Sequence, residues 1–228
     1  MRINKYIAAL TKYSRRQVDE LITKGKVKVN DVVLGKNDLG RQVSDSDQVF
    51  LEKKLLKAVE VKKIYLALNK PRNFVTTAIR QKDQRIVMDL IPTNLKIFPV
   101  GRLDKNSCGL LIFTNDGELA NELTHPKFAH EKEYVVKTKE TITDQQLKEL
   151  QKGIKLDEGL AKAKKIVKRN QLELNIILTT GFKRQVRRML EAVGNKVSHL
   201  QRIRINRLKL EDLPLGKWKY INKKDIVR

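Results

Sequence analysis

The segment FPVGRLDKNSCGLLIFTNDGEL, residues 98–119, places one aspartate between turn residues and an apolar run. Asp104 follows Gly-Arg-Leu and precedes Gly-Leu-Leu-Ile, a run typical of a buried strand. A carboxylate fixed at such a point can act as a nucleophile or a base. The simpler interpretation is a turn in which Asp104 accepts backbone hydrogen bonds. Asp116, which directly precedes a helical pattern, is predicted to cap that helix and to have no catalytic role.

A second candidate segment, TTGFKRQVRRMLEAVGNKV, combines an apolar stripe with clustered positive charge. Val186, Met189, Leu190 and Val193 recur at helical spacing, and Gly194 is suited to end the helix. The pattern predicts a helix whose apolar face packs on the core.

Four cations crowd the N-terminal end of this predicted helix, where the helix dipole is already positive: Lys183, Arg184, Arg187 and Arg188. The arrangement indicates a bound anion, either a phosphate or a carboxylate such as Asp104. An arginine beside Asp104 would keep that carboxylate ionised. Arg187, at the border of the apolar stripe, is the first choice for this ion pair and Arg184, one turn earlier, is the alternative.

The sequence predicts neither a metal site nor a bound cofactor. The three histidines, His125, His130 and His199, show no ligand spacing, and Cys108 is the only cysteine. No glycine-rich nucleotide loop is present. The single cysteine fits a reducing cytosol, and no apolar run approaches the ~20 residues of a membrane span. We therefore expect a cytoplasmic protein that makes no membrane contact.

The charge balance predicts a polyanionic partner. The 228 residues contain 49 Lys and Arg against 26 Asp and Glu, a formal net charge of +23. Residues 1–62 carry 14 basic and 8 acidic side chains, and the remainder carries 35 and 18. Both parts are thus basic, as expected of a protein that contacts nucleic acid along its whole length. A lysine-rich composition without such a partner is the alternative.

The first 52 residues predict a small domain of two helices and a hairpin. Ile3 and Ile7 recur at helical spacing, and Ser14 with Gln17 forms a capping-box pattern for a second helix. KVKVNDVVL alternates around a turn pair and predicts a hairpin. Residues 53–62 are charged, lack a strong period and are predicted to be a linker.

Residues 63–228 predict a larger domain in which strands and short helices intermix. Strands are expected in KIYLALNK, GLLIFT, KEYVVKTK and LELNIILTT, and helices in NDGELANELTH and TDQQLKELQKGI. FVTTAI is a further apolar segment. Because the two types do not alternate regularly, we expect an α+β fold with a mainly antiparallel, mixed sheet flanked by helices.

The N-terminal segment RINKYIAALTKYSRRQVDELITKGKVKVNDVV closely resembles the S4 RNA-binding domain of ribosomal proteins and RNA-modifying enzymes. The resemblance implies that this module contacts RNA. Together with the cations near the second candidate segment, the residues expected to contact RNA are Arg2, Lys5, Ser14, Arg15, Arg16, Lys24, Lys26, Lys183 and Arg188.

From about Lys63 onward, the chain resembles the RsuA/RluB/RluE/RluF group of pseudouridine synthases, which join an S4 domain to a catalytic domain. The shared blocks are LNKP, GRLDKNSCGLLIFTNDG, HEKEYVV and KRQVRRM, in that order. The ending RIRINRLKLEDLPLGKWKYI is most similar to the RluF-type 23S rRNA enzymes. Two positions depart from the pattern: Asn73 stands where glycine is usual, and Ser107 where threonine is common. Asparagine tolerates positive φ, so the first turn can survive.

The resemblance implies that a uridine in RNA is isomerised to pseudouridine after the base is flipped out of its stack. It implies that Asp104 is catalytic, that Arg102 fills the vacated position and that Tyr134 stacks on the uracil. Arg187 or Arg184 would pair with Asp104, and Leu110 would line the apolar wall near it. Whether Asp104 attacks C1′, adds to C6 or removes a sugar proton stays open.

The predicted partner is ribosomal RNA, most simply 23S, free or within a pre-ribosomal particle, and the predicted state is a monomer. The alternative function is a non-catalytic S4-type RNA-binding or ribosome-assembly protein. It explains the charge equally well but gives no reason for Asp104, Tyr134 and the arginine helix to occur together.

Overall fold

The computed structural model describes residues 1–57, 62–80, 83–92 and 95–227. Contacts between Cα atoms divide the chain into two compact units, Met1–Lys62 and Lys63–Arg228. None of the helices in the described part of the chain combines the length and apolar character that crossing a membrane requires.

The first unit contains the two predicted helices, and the second begins where its capping box predicts. They are α1 (Ile3–Leu10) and α2 (Arg15–Thr23). Ser14 caps α2 with the full reciprocal capping box: its side chain accepts from the Gln17 N–H, and the Gln17 side chain accepts from the Ser14 N–H. Ile3, Ile7, Val18 and Ile22 are fully buried and form the centre of this unit's core.

A four-stranded antiparallel sheet completes the first unit, in the order β2-β1-β3-β4. Its strands are β1 (Val27–Val29), β2 (Val32–Val33), β3 (Val49–Leu51) and β4 (Lys54–Leu55). Strand β4 lies inside the segment predicted as a linker and pairs with β3, so the first unit's sheet extends beyond residue 52. Residues 58–61 of that segment lie outside the described residues.

The second unit contains eleven described strands and three α-helices. In chain order they are β5 (Tyr65–Lys70), β6 (Phe98–Val100), β7 (Cys108–Thr114), α3 (Gly117–Thr124), β8 (Lys132–Thr138), α4 (Asp144–Lys152), β9 (Ile154–Leu156), β10 (Gly159–Ala161), β11 (Lys165–Lys168), β12 (Glu173–Leu178), α5 (Gln185–Ala192), β13 (Val197–Ile205), β14 (Leu208–Lys209) and β15 (Trp218–Tyr220).

Nine of these strands form one mixed sheet in the order β11-β12-β8-β13-β7-β5-β15, with β6 paired to β7 and β14 to β13. Among the described strands the pairs are antiparallel except for β13 and β7, which run parallel at the centre. The predicted α+β fold with a mainly antiparallel, mixed sheet is confirmed.

The central strands are covered on both faces, which explains why GLLIFT is continuously apolar. Leu110 and Ile112 face the core that α3 covers, whereas Leu111 and Phe113 face the opposite core. A third core lies beneath α4 and α5, where Val186, Met189, Leu190 and Val193 are buried. The predicted stripe of α5 is therefore confirmed, and Gly194 follows the helix with a φ of +78°.

FVTTAI, for which the sequence predicts no particular element, contains no regular strand, and Val75 makes an isolated parallel bridge with Ile86. One part of the second unit differs from the sequence-based expectation. Lys183 and Arg184 precede α5 rather than lie within it, because Arg184 adopts the left-handed conformation (φ +52°) at the N-cap.

Candidate active site

Asp104 lies in the loop between β6 and β7, and glycines flank this loop. Gly101 and Gly109 have φ values of +70° and +106°, a region that favours glycine. The Ser107 N–H donates to the Asp104 carbonyl at 3.0 Å and closes a tight turn. The backbone therefore bends at Gly101 and Gly109, on either side of Asp104.

The backbone of this loop is held in place along its whole length. The carbonyl oxygen of every residue from 102 to 107 accepts at least one hydrogen bond, at 2.7–3.4 Å. The donors from outside the loop are the side chains of Lys70, Thr76, Arg187 and Arg202 and the backbone N–H of Asn73. A loop held this firmly keeps the side chain it carries in a fixed position.

Lys70 provides the central support of the loop. It ends β5 on the same face as Leu66 and Leu68, and it is completely buried. Its ammonium donates to the carbonyl oxygens of Asp104 (3.1 Å), Ser107 (2.8 Å) and its neighbour Pro71 (3.0 Å). Burial lowers the pKa of Lys70 to about 8, against the opposing influence of nearby Cys108 and Asp104. All three ammonium protons thus bond to the backbone.

Asn73 and Thr76 hold the other side of the loop. Asn73 has a φ of +68°, so asparagine does adopt the left-handed conformation where glycine is usual, as predicted. Its N–H donates to the Lys105 carbonyl at 2.7 Å. The Thr76 hydroxyl donates to the carbonyl oxygen of Leu103 at 2.7 Å and accepts from its N–H at 3.2 Å.

The carboxylate of Asp104 itself is unpartnered. It is half-buried, and among the described residues it accepts no hydrogen bond and forms no ion pair within 4.0 Å. The carbonyl oxygen of Asp104 is therefore hydrogen-bonded while its side chain is available. This contrasts with Asp116, which caps α3 by accepting from the N–H groups of Glu118 and Leu119, as predicted.

Arg187 does not form the expected ion pair with Asp104. Its Nη2 donates to the Asn106 carbonyl at 3.1 Å and to the Ser107 hydroxyl at 3.4 Å. Burial, and then the charge of Arg184, lower the pKa of Arg187, whereas the Asp104 carboxylate acts in the opposite direction. Arg187 thus affects Asp104 in two ways. Its charge interacts with the carboxylate without direct contact, and its hydrogen bonds hold the loop that carries Asp104. Arg184, the alternative, makes no ion pair with Asp104 either.

Asp104 faces a cavity of about 340 Å³ within the second unit, a volume typical of small-ligand sites. Val100, Leu103 and Ile112 form part of its apolar lining. Leu110, predicted to belong to that wall, is instead fully buried in the core beneath α3 and does not line the cavity. Ile112, two residues further along the same face of β7, lines the cavity instead.

Tyr134 and the cations of the cavity lie around Asp104 as a group. Tyr134, on β8, is half-buried and lines the cavity. The predicted residues Arg102, Lys183 and Arg184 are exposed and line it as well. Arg188, expected to contact RNA, instead forms ion pairs with Asp157 (3.2 Å) and Glu158 (2.5 Å). Its charge is compensated within the protein.

The residues of the first unit that were expected to contact RNA are mostly exposed: Arg2, Ser14, Arg15, Arg16, Lys24 and Lys26. Lys5 is half-buried. Arg15 also has a structural contact, because its guanidinium donates to the Asn4 side chain at 3.1 and 3.3 Å and so links α2 to α1.

Three of the side chains that hold the Asp104 loop were missed by the sequence reasoning: Lys70, Thr76 and Arg202. A signal existed for Lys70, since strand alternation in YLALNK places it on the same face as two buried leucines. Arg202, which lies on β13 and lines the cavity, had no local signal. Within the described ranges, no three His, Cys, Asp or Glu side chains converge as a potential metal site.

Replacing Lys70 with methionine, which has similar length and no charge, is expected to reduce activity more than stability. The variant leaves buried carbonyls without donors but removes the cost of burying an ammonium, so we expect unfolding free energy to fall by only about 1–3 kcal/mol. Displacement of the loop should lower the catalytic rate by about 10²-fold. Thermal unfolding and single-turnover kinetics measure the two effects; normal turnover in a folded variant would contradict the positioning role.

Comparison with known proteins identifies both units. The sequence model described as RNA pseudouridylate synthase matches residues 64–192, and that of the S4 domain matches residues 1–49. The chain is 42% identical to "Ribosomal large subunit pseudouridine synthase B" of Bacillus subtilis, over 94% of this chain and 89% of the relative. It is 35% identical to "Dual-specificity RNA pseudouridine synthase RluF" of Escherichia coli K12, over 100% of this chain and 77% of the relative.

The fold is also found among solved structures. The chain resembles a crystal structure of a pseudouridylate synthase with a TM-score of 0.72 and 29% identity, over 99% of this chain and 98% of the other. The similarity therefore extends across both units rather than to one of them.

Proposed function

The chain belongs to the RNA pseudouridylate synthase family, and we propose that it converts a uridine of large-subunit ribosomal RNA into pseudouridine with Asp104 as its catalytic residue. The observation that carries the assignment of Asp104 is the contrast within its loop. Six consecutive carbonyls are hydrogen-bonded, and one carboxylate in the cavity is left without a partner. A carboxylate held in this way is preorganised to react with a bound substrate rather than to stabilise the fold.

The isomerisation needs no redox partner or group donor. The N1–C1′ bond breaks, the uracil turns, and a C5–C1′ bond forms while the C5 proton is lost and N1 gains a proton. An ionised carboxylate supports cleavage by bonding to C1′, by adding to C6 or by removing a sugar proton. Asp104 has a carboxylate that faces the cavity without a partner among the described residues and is suited to each of these routes.

The reacting atoms of the target base are inaccessible while the base is stacked in the RNA. The base must therefore leave its stack to enter the cavity. We propose that Tyr134 stacks on the face of the flipped uracil, because its half-buried ring lines the cavity that contains Asp104. We propose that Arg102 fills the position that the flipped base leaves in the RNA stack. Arg102 is exposed, lines the cavity and lies two residues before Asp104. Lys183 and Arg184 are then placed to contact phosphates beside the flipped nucleotide.

The ribosomal substrate is proposed from the names of the relatives. The Bacillus relative is named as a large-subunit ribosomal enzyme, and RluF is named as having dual specificity. We therefore propose 23S rRNA as the substrate, free or in a pre-ribosomal particle, modified by a monomeric enzyme in the cytoplasm. The non-catalytic alternative is not favoured, because the unpartnered Asp104 carboxylate in its fixed loop has no function in a protein that only binds RNA.

Substrate choice can be tested with unmodified transcripts of 23S and 16S rRNA. After incubation with the enzyme, pseudouridine is labelled chemically and mapped by reverse transcription. We expect modification at one or a few positions of 23S rRNA and none in 16S rRNA. Modification of 16S rRNA alone would overturn the large-subunit assignment while leaving the isomerase activity intact.

The first unit is expected to anchor the enzyme on RNA through phosphates. Arg16 and Lys26 are both exposed, and we replace both with alanine in one variant. The slope of log Kd against log salt concentration should then decrease by about 2, because two phosphate contacts are lost. The rate at saturating RNA should stay unchanged, because neither residue belongs to the cavity. Replacement of Lys36 and Lys57, two exposed lysines outside the predicted set, is the matched control. Equal slopes for the two double variants would contradict the anchoring surface.

A further inference from the structure

Arg202 is a buried cation that lines the cavity and retains one free donor. It lies on β13, is 3% exposed and was not anticipated from the sequence. Its Nε donates to the Leu110 carbonyl at 2.8 Å and its Nη1 to the Arg102 carbonyl at 3.4 Å. Its Nη2 is buried and has no hydrogen-bond partner within the described ranges. Leaving a charged donor buried and unsatisfied is costly, so an unpartnered Nη2 beside the cavity points to a ligand.

The backbone around Arg202 is fixed by its neighbours. Arg202 pairs with Gly109 across the parallel β13–β7 contact, and a Cβ atom at Gly109 would lie 2.2 Å from the Arg202 carbonyl oxygen. Glycine is thus required at 109 for β13 to approach the strand that follows the Asp104 loop. A register shift between Arg202 and Arg204 interrupts the β13–β8 ladder, and such bulges commonly redirect side chains beside active sites.

Arg202 and Tyr134 lie directly opposite each other on β13 and β8. Directly paired residues of antiparallel strands project from the same face, with Cβ atoms about 4.5–5.5 Å apart. Both side chains line the cavity that contains Asp104. A base stacked on the Tyr134 ring therefore has its edge within reach of the Arg202 guanidinium.

The charge of Arg202 is not neutralised by a carboxylate. It forms no ion pair within 4.0 Å in the described part of the chain, whereas Arg204, two residues on, pairs with Glu131 at 3.0 Å and Glu133 at 2.8 Å. Lys132 is another basic residue that lines the cavity, and its pKa is lowered by burial and further by the charge of Arg202. The part of the cavity lined by Arg202 and Lys132 thus has an excess of positive charge suited to a developing anion.

We propose that Arg202 Nη2 donates a hydrogen bond to a carbonyl oxygen of the flipped uracil and stabilises the negative charge that develops on the base during the reaction. The inference rests on the proposed function. When the N1–C1′ bond breaks, its electron pair stays on the uracil and is delocalised onto O2 and O4. If Asp104 adds to C6 instead, the displaced pair moves onto O4. Every route open to Asp104 therefore places negative charge on a carbonyl oxygen, and that charge is returned when C5 bonds to C1′.

Arg202→Lys is expected to lower the single-turnover rate by about 10²–10³-fold, the scale of losing one donor to a developing oxyanion. The Kd for RNA should change less than about threefold, because base extrusion and phosphate contacts remain. Arg204→Lys, on the same strand, is the matched control and should stay within a few-fold of wild type. Thermal unfolding shows whether each variant folds. If Arg202→Lys does not fold, Arg202→Gln is used in its place.

A substrate change separates a donor from a residue that only supports the loop. RNA carrying 2-thiouridine or 4-thiouridine at the target replaces one uracil oxygen with sulfur, a weaker acceptor. In wild type we expect one of the two substitutions to slow the reaction by about tenfold, as when a charged hydrogen bond is weakened. In Arg202→Lys the same substitution should have little further effect.

Two results would overturn the inference. In the first, sulfur substitution slows wild type and Arg202→Lys by the same factor. In the second, wild type reacts at equal rates with the uridine, 2-thiouridine and 4-thiouridine RNAs, a comparison that needs no variant. Pseudouridine formation by wild type on unmodified RNA is measured in the same experiment. Its absence would refute the proposed function itself, so the two failures are distinguished.

Discussion

Replacing Asp104 with asparagine is expected to lower the rate of pseudouridine formation by about 10⁴-fold or more, the scale of losing a reacting side chain from an enzyme. Asparagine has the same shape but cannot serve as nucleophile or base. Because the Asp104 carboxylate makes no hydrogen bond or ion pair in the described structure, the unfolding free energy should change by only about 0.5 kcal/mol. The Kd for RNA should stay within a few-fold of wild type. Single-turnover kinetics, RNA binding and thermal unfolding measure the three effects.

Asp116→Asn is the matched control for this variant. Asp116 lies twelve residues further along the same segment, is buried and caps α3, a role that asparagine fills equally well. Its activity should stay within a few-fold of wild type. If Asp104→Asn forms product at the rate of Asp116→Asn, Asp104 is not the catalytic residue.

The second large effect is expected at Tyr134, where ring and hydroxyl can be tested separately. Tyr134→Phe keeps the ring, and the Tyr134 hydroxyl makes no hydrogen bond in the part of the chain that the structure describes, so its activity should stay close to wild type. Tyr134→Ala removes a stacking contact worth about 1–3 kcal/mol by comparison with other base–aromatic contacts. We therefore expect kcat/KM to fall by roughly 10–100-fold or more.

Packing must be separated from stacking in this comparison, since Tyr134 contacts two of the hydrophobic cores. Tyr134→Leu supplies an apolar side chain without an aromatic face. It should retain more thermal stability than Tyr134→Ala but lose a similar fraction of activity. Activity in Tyr134→Leu equal to that of Tyr134→Phe would show that the position contributes packing alone.

Features fixed by neighbouring residues could be predicted from the sequence. The capping box of Ser14, the cap of α3 by Asp116 and the buried stripe of α5 each depend on a few consecutive residues, and each was confirmed. The positive φ of Asn73 could be predicted for the same reason, because it follows from what one residue type tolerates.

The supports of the Asp104 loop could not be predicted, because they come from distant parts of the chain. Lys70 bonds a loop carbonyl 34 residues away, Arg187 one that is 81 residues away, and Arg202 one that is 100 residues away. The charge pattern suggested that an arginine acts near Asp104. It could not show that the guanidinium of Arg187 binds the loop backbone rather than the carboxylate, since that choice depends on how α5 packs against the sheet.

The most direct test of the central claim is release of tritium from 23S rRNA transcribed with uridine labelled at C5. Isomerisation joins C5 to C1′ and expels the C5 hydrogen, so each modified uridine releases one label to water. Wild-type enzyme is expected to release an amount equal to one or a few uridines per RNA, and Asp104→Asn none. No release by the wild-type enzyme from 23S or 16S rRNA, naked or in precursor particles, would contradict the account and favour a protein that binds RNA without modifying it.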